Sequence, residues 1–199
     1  MEKISILLVE DSSFWLENIS KGILNETDFH LMGTATTKEE ALVLAVEYNP
    51  DIIILDINLT DNNLDGIVIA QELSNKKEVD SKIIILSGIM EEYVILESFA
   101  ANNVVNYLSK YSALEIYQAI RDAYYGTAGI HSDVAEILRK AYRKNRTEVK
   151  LSLLTPAERE LYELNERGFT KNEMANKLHK SFETIKSQLR SMRNKMKNR

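Results

Sequence analysis

Two carboxylates stand side by side in this chain where a buried strand is predicted to end. Glu10 and Asp11 follow the apolar run at 6–9, and Asp56 follows a second apolar run at 51–55. Like charges about 4 Å apart repel by roughly 4 kcal/mol at an effective dielectric near 20. A strand that ends in such a pair therefore predicts a cationic partner for the carboxylates.

Two further polar residues follow predicted strands in the same way. Ser87 ends the segment "ILS", and Lys110 ends "YLSK". A hydroxyl donor and a compact ammonium both suit an anion. The chain has no cysteine and three scattered histidines, which argues against a thiolate or zinc site.

The positions of these residues depend on the predicted elements. Five short apolar runs indicate β-strands, at 4–9, 29–34, 51–55, 83–86 and 104–108. Five stretches with apolar residues three and four apart indicate helices, at 13–25, 38–48, 64–75, 91–101 and 113–125. Strands that alternate with helices predict an α/β fold, a doubly wound five-stranded parallel sheet with helices on both faces.

Neighbouring parallel strands align their carboxyl ends, where ligands bind in such folds. Glu10, Asp11 and Asp56 are then expected to share one pocket. They would raise one another's pKa and take up protons unless a cation kept them ionised. Oxygen ligands favour Mg²⁺, so acids, hydroxyl and lysine together indicate a phosphoryl site.

These residues, in this order and with Tyr107, resemble the receiver domain of bacterial two-component response regulators over about 125 residues. The resemblance implies a flavodoxin-like sheet of strand order 2-1-3-4-5. It implies that Asp56 accepts a phosphoryl group from a phosphohistidine on a sensor kinase. By the same resemblance, Ser87 and Lys110 bind the phosphoryl oxygens, and Tyr107 turns inward as a switch. The implied Mg²⁺ ligands are Glu10, Asp11, Asp56 and the backbone carbonyl of Asn58.

Two further local features adjoin the predicted site. Receivers often have Pro after the lysine, joined by a cis peptide, whereas Tyr111 follows Lys110 here. A cis bond before a residue other than Pro costs roughly 3 kcal/mol, which leaves this loop's geometry open. Phe14 and Trp15, just after the acids, are predicted to pack into the core.

The net charge differs in sign between the first 125 residues and the rest of the chain. Residues 1–125 have 21 Asp or Glu and 8 Lys or Arg, whereas residues 126–199 have 9 and 17. We predict a receiver domain at 1–125, a linker with a helical start near Ser132 at 126–153, and a small all-α domain at 154–199. A basic domain is a candidate for nucleic-acid binding.

The tail resembles the helix-turn-helix domain of the NarL/LuxR type of response regulator. The motifs are "LTPAE", Gly168, "NEMANKL" and "ETIKSQL". Capping boxes at Thr155 and Thr170 predict two helix starts, and Ser181 predicts a third, the start of the recognition helix that enters the major groove. Ala175 and Ile185 are expected to pack between helices. Candidate DNA contacts are Lys186, Ser187 and Arg190 for base edges, and Lys171 and Thr184 for phosphates. The family usually has a fourth helix, which we do not expect before the chain ends at "KNR".

The sequence therefore predicts a cytoplasmic, DNA-binding transcription regulator that acts with a sensor histidine kinase. Expected properties are an Mg²⁺ cofactor, no membrane association, and no metabolic reaction beyond its own phosphoryl transfer and dephosphorylation. Phosphorylation is expected to favour a homodimer through the fourth helix, fifth strand and fifth helix, or to free the tail.

Three alternatives remain open. A phosphohydrolase with an aspartyl nucleophile would typically have a second acid where Asn58 stands. A regulator could bind DNA without phosphorylation. The tail could be a helical bundle with a basic face for protein contact.

Overall fold

The computed structural model describes residues 3–59 and 64–197. Contacts divide the chain into two compact units, Met1–Leu138 and Arg139–Arg199. The outermost residues of the predicted domains, 1–2 and 198–199, lie outside the described ranges. Across those ranges, no helix is long and apolar enough to cross a membrane.

The first unit alternates strands and helices in the predicted order. Its strands are β1 (Ile4–Val9), β2 (Phe29–Ala35), β3 (Ile52–Leu55), β4 (Lys82–Ser87) and β5 (Val104–Ser109). Its helices are α1 (Ser13–Asn25), α2 (Lys38–Tyr48), α3 (Asp65–Ser74), α4 (Glu92–Ser98) and α5 (Ile116–Tyr124), with a short 3₁₀ helix at Lys110–Glu115. Every predicted strand and helix of this unit is present.

The five strands form one parallel sheet in the order β2-β1-β3-β4-β5. This confirms the predicted doubly wound fold. Successive strand residues point to opposite faces, and both faces are buried. Leu7 and Ile53 belong to a core with α2, α3 and α4, whereas Leu8 and Ile54 belong to a core with α1 and α5. The parallel arrangement puts the carboxyl ends of β1, β3, β4 and β5 at one edge.

A further helix, α6 (Ser132–Ser152), occupies most of the region predicted to be a linker. Its first turns belong to the first unit: Val134 is fully buried, in the same apolar cluster as Tyr107. The backbone N–H of His131 donates to Asn106 Oδ1 at 3.3 Å, which fastens the start of α6 to β5. The predicted helical start is therefore held by the sheet, and the helix continues beyond it.

The second unit contains the rest of α6 and three helices, α7 (Pro156–Glu166), α8 (Lys171–Lys177) and α9 (Phe182–Lys197). Both predicted capping boxes are present, at Thr155 and Thr170. Gly168 has φ of 81°, which suits a glycine after a helix end. Ala175 and Ile185 are buried in the core of this unit, as predicted.

Candidate functional site

Three carboxylates meet at the carboxyl edge of the sheet. Glu10 and Asp11 directly follow β1, and Asp56 directly follows the neighbouring β3. One oxygen from each carboxylate lies within 4.8 Å of the others. Glu10 is 1% exposed and Asp56 4%, whereas Asp11 is exposed. The pocket thus has two buried acids and a third at its solvent side.

Lys110, which follows β5, places its ammonium between the two buried acids. Its Nζ donates to Asp56 Oδ2 at 2.8 Å and to Glu10 Oε1 at 2.9 Å. Burial lowers the pKa of Lys110, but its hydrogen bonds to Asp56 and Glu10 outweigh burial, and the net shift is upward. The second oxygen of Asp56, Oδ1, accepts from the backbone N–H of Ile57 at 2.7 Å. Both Asp56 oxygens therefore have a donor.

The pocket nevertheless remains short of positive charge. Burial raises the pKa of Glu10; the hydrogen bond from Lys110 opposes this shift, and the charge of Asp56 adds to it. Among the described residues, three carboxylates face one ammonium, and the potential ligand atoms are all oxygens. Hard divalent cations such as Mg²⁺ prefer oxygen ligands. The residues present therefore fit such an ion.

Ser87 and Tyr107 lie on the neighbouring strands β4 and β5. Ser87 is 1% exposed, and its Oγ accepts from the backbone N–H of Ile89 at 3.3 Å. Tyr107 is fully buried, and its phenol donates to the carbonyl of Ile89. Burial raises the pKa of Tyr107, and a hydrogen bond with Ser87 lowers it in part. The hydroxyl and the phenol therefore share one small polar network.

Two residues beside the carboxylates and Lys110, Asn58 and Tyr111, were singled out in the sequence. Asn58 lies two residues after Asp56, with an exposed side chain. Tyr111 is almost wholly exposed, and the described peptide bonds, including the one before Tyr111, are trans. The Ser109 hydroxyl accepts from the backbone N–H of Tyr111 at 3.2 Å and caps the 3₁₀ helix. The Lys110 loop thus forms without a proline.

Trp15 packs partly against the core that contains α1 and α5, as predicted, and it also contacts Lys110, which the sequence analysis did not anticipate. The Lys110 ammonium lies 5.5 Å from the centroid of the Trp15 ring, within range of a cation–π interaction. The expectation that Phe14 packs into the core is wrong, because Phe14 is 65% exposed. Phe14 instead meets the Trp15 ring edge to face, with centroids 5.5 Å apart. The sequence signal for this aromatic contact at the site was a pair of aromatic residues shortly after the pair of acids.

Gly66 is a second residue that the sequence analysis did not assign to the site. A Cβ on Gly66 would lie 2.3 Å from the Asp56 carbonyl oxygen and 2.6 Å from Ile57 Cα. The backbone N–H of Gly66 donates to the Ile57 carbonyl at 2.9 Å. The first turn of α3 can therefore approach the Asp56 segment only because residue 66 has no side chain. An isolated glycine in the predicted helix 64–75 was the signal.

The match to known protein families follows this arrangement. The family model described as "Response regulator receiver domain" matches residues 6–121, more than half of the chain and nearly all of the sheet and its helices. The chain belongs to the response regulator receiver family.

Similar proteins extend the likeness beyond the receiver. The chain is 28% identical over 198 residues to the transcriptional regulatory protein LiaR of Bacillus subtilis, covering 97% of this chain and 90% of LiaR. It is 25% identical over 194 residues to the response regulator protein VraR of Staphylococcus epidermidis, with the same coverage. A solved structure of the Salmonella typhimurium RcsB response regulator, in work on its DNA interaction, matches with a TM-score of 0.65 and 21% identity. That match covers 98% of this chain and 93% of the RcsB chain. At 21% identity, the match to RcsB shows a shared fold.

The tail that follows the receiver presents the predicted DNA contacts on its surface. The recognition candidates Lys186, Ser187 and Arg190 lie on α9 and are exposed. The hydroxyl of Ser187 donates to the Thr184 carbonyl at 3.0 Å, so it is engaged within its own helix. Lys171 is exposed at the first position of α8. Ser181 caps α9 as predicted, since its Oγ accepts from the backbone N–H of Thr184 at 3.1 Å.

One buried acid fixes α9 to α7 in the tail. Glu158, 7% exposed, completes the capping box of α7, and its Oε2 also accepts from Lys195 Nζ at 2.7 Å. Ser191 Oγ donates to the other oxygen at 3.2 Å. The hydrogen bond from Lys195, followed by that from the Thr155 N–H, lowers the pKa of Glu158 to about 2. The sequence indicated the cap but not this link to α9.

Proposed function

We propose that this receiver-family chain is a DNA-binding response regulator of a two-component system. A sensor histidine kinase phosphorylates Asp56, and phosphorylation changes how the tail binds promoter DNA. The single observation behind this proposal is the pairing of the buried Asp56 carboxylate with the Lys110 ammonium, beside the further acids Glu10 and Asp11. That arrangement provides a nucleophile, a positive charge for phosphoryl oxygens and a place for a cation.

Asp56 is the proposed phosphoryl acceptor. One of its carboxylate oxygens forms a bond to phosphorus as the bond from phosphorus to the kinase histidine nitrogen breaks. The product is an acyl phosphate on Asp56 and a free imidazole on the kinase. Lys110 then turns from the carboxylate to the transferred phosphoryl oxygens, to which the Ser87 hydroxyl also donates. Hydrolysis of the acyl phosphate resets the site, and no further metabolic reaction is proposed.

Mg²⁺ is the proposed cofactor, held by Glu10, Asp11, Asp56 and the backbone carbonyl of Asn58. When bound there, the ion supplies positive charge that stabilises the transferring phosphoryl group. Support comes from the oxygen-only donor set and from the excess of carboxylates over ammonium groups.

Tyr107 is the proposed switch between the site and the rest of the chain. When Ser87 turns toward the phosphoryl group, the polar network around Tyr107 changes. Tyr107 belongs to the same apolar cluster as Val134 at the start of α6. A packed cluster has discrete arrangements and does not deform continuously, so a small movement at Ser87 is amplified. Helix α6 then transmits the change toward the tail.

The tail is the proposed DNA-binding part. Lys186, Ser187 and Arg190 read base edges, while Lys171 and Thr184 contact phosphates. This assignment is supported by the succession of α8, a short turn and α9, by the basic charge of residues 126–199, and by the likeness to a transcriptional regulatory protein and to a structure described by its DNA interaction.

We assign the receiver to residues 1–125, the linker to 126–153 and the DNA-binding domain to 154–199. We further propose that the protein acts in the cytoplasm, where its kinase presents the phosphohistidine. Phosphorylation favours a homodimer through α4, β5 and α5. Light scattering with and without a phosphoryl mimic tests this last part, and an unchanged mass in both states would oppose it.

The first experiment measures intact mass after incubation with acetyl phosphate and Mg²⁺, beside Asp56→Ala as control. We expect one added phosphoryl group in the wild type and none in the variant. No addition to the wild type would contradict the role of Asp56 as phosphoryl acceptor and favour a regulator that binds DNA without phosphorylation. Release of phosphate from a generic ester well beyond one equivalent would instead favour a phosphohydrolase.

A further inference from the structure

The second half of α6 is a strongly basic helix that the proposed function leaves without a role. Residues 139–150 contain six Lys or Arg and one acid, Glu148. Every residue from Tyr142 to Val149 is exposed. Within the described parts of the chain, Lys140, Arg143, Lys144, Arg146 and Lys150 make no ion pair. These five residues therefore concentrate positive charge that no described acid neutralises on one element.

The basic residues are arranged in a row. Arg143, Arg146 and Lys150 are spaced by three and four residues, which puts them on one face of a helix. At about 1.5 Å per residue the row extends about 10 Å. Like charges at these spacings destabilise a helix, so the row gains stability from an anionic partner. A DNA strand carries one phosphate per about 3.4 Å of axis, close enough for several contacts along the row.

A second copy of the helix fits this face poorly. Tyr142 and Val149 are exposed and seven residues apart, a spacing that also occurs in coiled coils. A parallel or antiparallel pair through these residues would bring the adjacent arginines of both copies together. With one acid among residues 139–150, the pair has too few opposite charges to offset that repulsion.

The far end of the basic segment is anchored to the tail unit. Leu151 packs against the core formed by α7, α8 and α9. The Arg159 guanidinium donates to the Leu151 carbonyl at 3.1 Å. The row is thus part of the same unit as the proposed recognition helix. A polyanion bound by that unit is the partner with matching charge.

We propose that Arg143, Arg146 and Lys150 on α6 bind the phosphate backbone of the DNA duplex, outside the base pairs read by α9. The interaction adds affinity that does not depend on sequence. This inference rests on the proposed DNA binding of the tail, but it concerns residues that helix-turn-helix recognition does not use.

The test compares the full-length wild type with a triple variant, Arg143→Gln, Arg146→Gln and Lys150→Gln. Glutamine keeps a helix propensity close to that of Arg and Lys, and circular dichroism checks that helix content is retained. Fluorescence anisotropy gives the affinity for a labelled duplex of arbitrary sequence, about 30 base pairs or three helical turns long, across a series of salt concentrations. The charge-matched control is Lys3→Gln, Lys76→Gln and Lys77→Gln in the first unit.

We expect the triple variant on α6 to lower the magnitude of the salt slope, d log K against d log [salt], by about 0.9 for each lost phosphate contact, or about 2.7 in all. The control triple should keep the wild-type slope. A wild-type slope in the α6 variant, or an equal loss in the control, would overturn the proposal. So would loss of self-association with unchanged DNA binding, since the row would then serve a protein surface.

A second comparison separates this inference from the proposed function. The variant Arg190→Gln, on α9, should weaken DNA binding while the α6 row still contributes its share of the slope. If Arg190→Gln and Lys186→Gln leave binding unchanged but the α6 triple lowers the slope, the recognition-helix assignment fails and the α6 proposal stands. If the wild type does not bind the duplex at low salt, both are overturned.

Discussion

At the scale of single residues, the site depends on the balance between three carboxylates and one ammonium. Lys110 occupies the space between Glu10 and Asp56 and contacts both. It therefore plays two opposing parts. Its hydrogen bond opposes the rise in the pKa of Glu10 that burial causes, which favours the ionised form that binds a cation, and its own charge repels such a cation. Breaking a buried ion pair by removing one partner is costly because the other charge remains.

Replacing Lys110 by alanine should make the site a stronger cation binder. The Lys110 ammonium lies beside Asp56 and repels any cation bound there, so its removal should raise the Mg²⁺ affinity roughly tenfold. The free energy that corresponds to a tenfold change is a conservative fraction of the Coulomb energy at these distances. Isothermal titration calorimetry measures this directly, with Trp15 fluorescence as a second signal because the ring lies beside Lys110. Lys3→Ala is the control. Equal or weaker affinity in Lys110→Ala would contradict the expectation that repulsion by the Lys110 ammonium is the larger of its two effects on ion binding.

At the scale of elements, close backbone approaches and helix caps hold the functional groups in place. Helix α3 approaches the Asp56 segment through Gly66, and α7 is tied to α9 through Glu158. Gly66 allows α3 to lie against the Asp56 segment. Glu158 connects two helices through its contact with Lys195. Substitutions at these residues should therefore affect sites that they do not themselves form.

Gly66→Ala should slow phosphorylation of Asp56. A Cβ at this position would lie 2.3 Å from the Asp56 carbonyl oxygen, so α3 or the Asp56 segment must shift, at a cost of about 1–3 kcal/mol. Gly88→Ala is a matched control beside Ser87, because a Cβ there meets no atom within 4 Å. Intact mass against time with acetyl phosphate measures both. Equal rates in Gly66→Ala and the wild type would mean that this close approach does not position Asp56.

Glu158→Gln should destabilise the tail by about 1–2 kcal/mol, since charge-assisted hydrogen bonds become neutral ones. The pKa of Glu158 is about 2 in the folded chain, below the ordinary 4.5. A lowered carboxyl pKa stabilises the folded state above pH 4.5, and this contribution is lost as pH falls toward 2. The melting-temperature difference between wild type and variant, followed by circular dichroism, should therefore shrink over that range. The control Glu160→Gln, exposed on the same helix, should melt at the wild-type temperature over this pH range. A melting-temperature difference between wild type and Glu158→Gln that does not change with pH would contradict the lowered pKa of Glu158.

At the scale of the whole molecule, an acidic receiver and a basic tail are joined by a helix whose two halves have different surroundings. The first turns of α6 are buried with Tyr107, whereas residues 142–149 are exposed. One continuous helix thus begins in the cluster that contains the proposed switch and ends against the core of the tail. In the proposed function, α6 is the element through which phosphorylation of Asp56 changes DNA binding.

Val134→Ala should uncouple DNA binding from phosphorylation. The substitution removes two methyl groups from a fully buried site and costs roughly 2 kcal/mol, which loosens the start of α6. We expect Asp56 to be phosphorylated normally, while the ratio of DNA affinities with and without phosphorylation approaches one. Anisotropy titrations with a labelled duplex measure this ratio. The control, Val149→Ala on the exposed half of the same helix, should keep the wild-type ratio; an unchanged ratio in Val134→Ala would exclude this route.

The sequence by itself determined the elements and their order. Short runs rich in Ile, Val and Leu favour strands covered on both faces, and capping boxes define helix starts through contacts three residues apart. Parallel strands align their carboxyl ends, and the receiver resemblance implied that the first and third strands are neighbours, so the meeting of Glu10, Asp11 and Asp56 was expected. Such features depend on local chemistry and on topology.

Only the tertiary structure decided contacts between residues far apart in sequence. Lys110 contacts Glu10 across 100 positions, and Glu158 contacts Lys195 across 37; no local pattern specifies such a partner. Phe14 lies exposed although its type favours the core, and α6 continues through most of the region predicted to be a linker. These contacts and exposures depend on which elements pack beside each residue. That packing joins residues far apart in the chain, so a short stretch of sequence does not determine it.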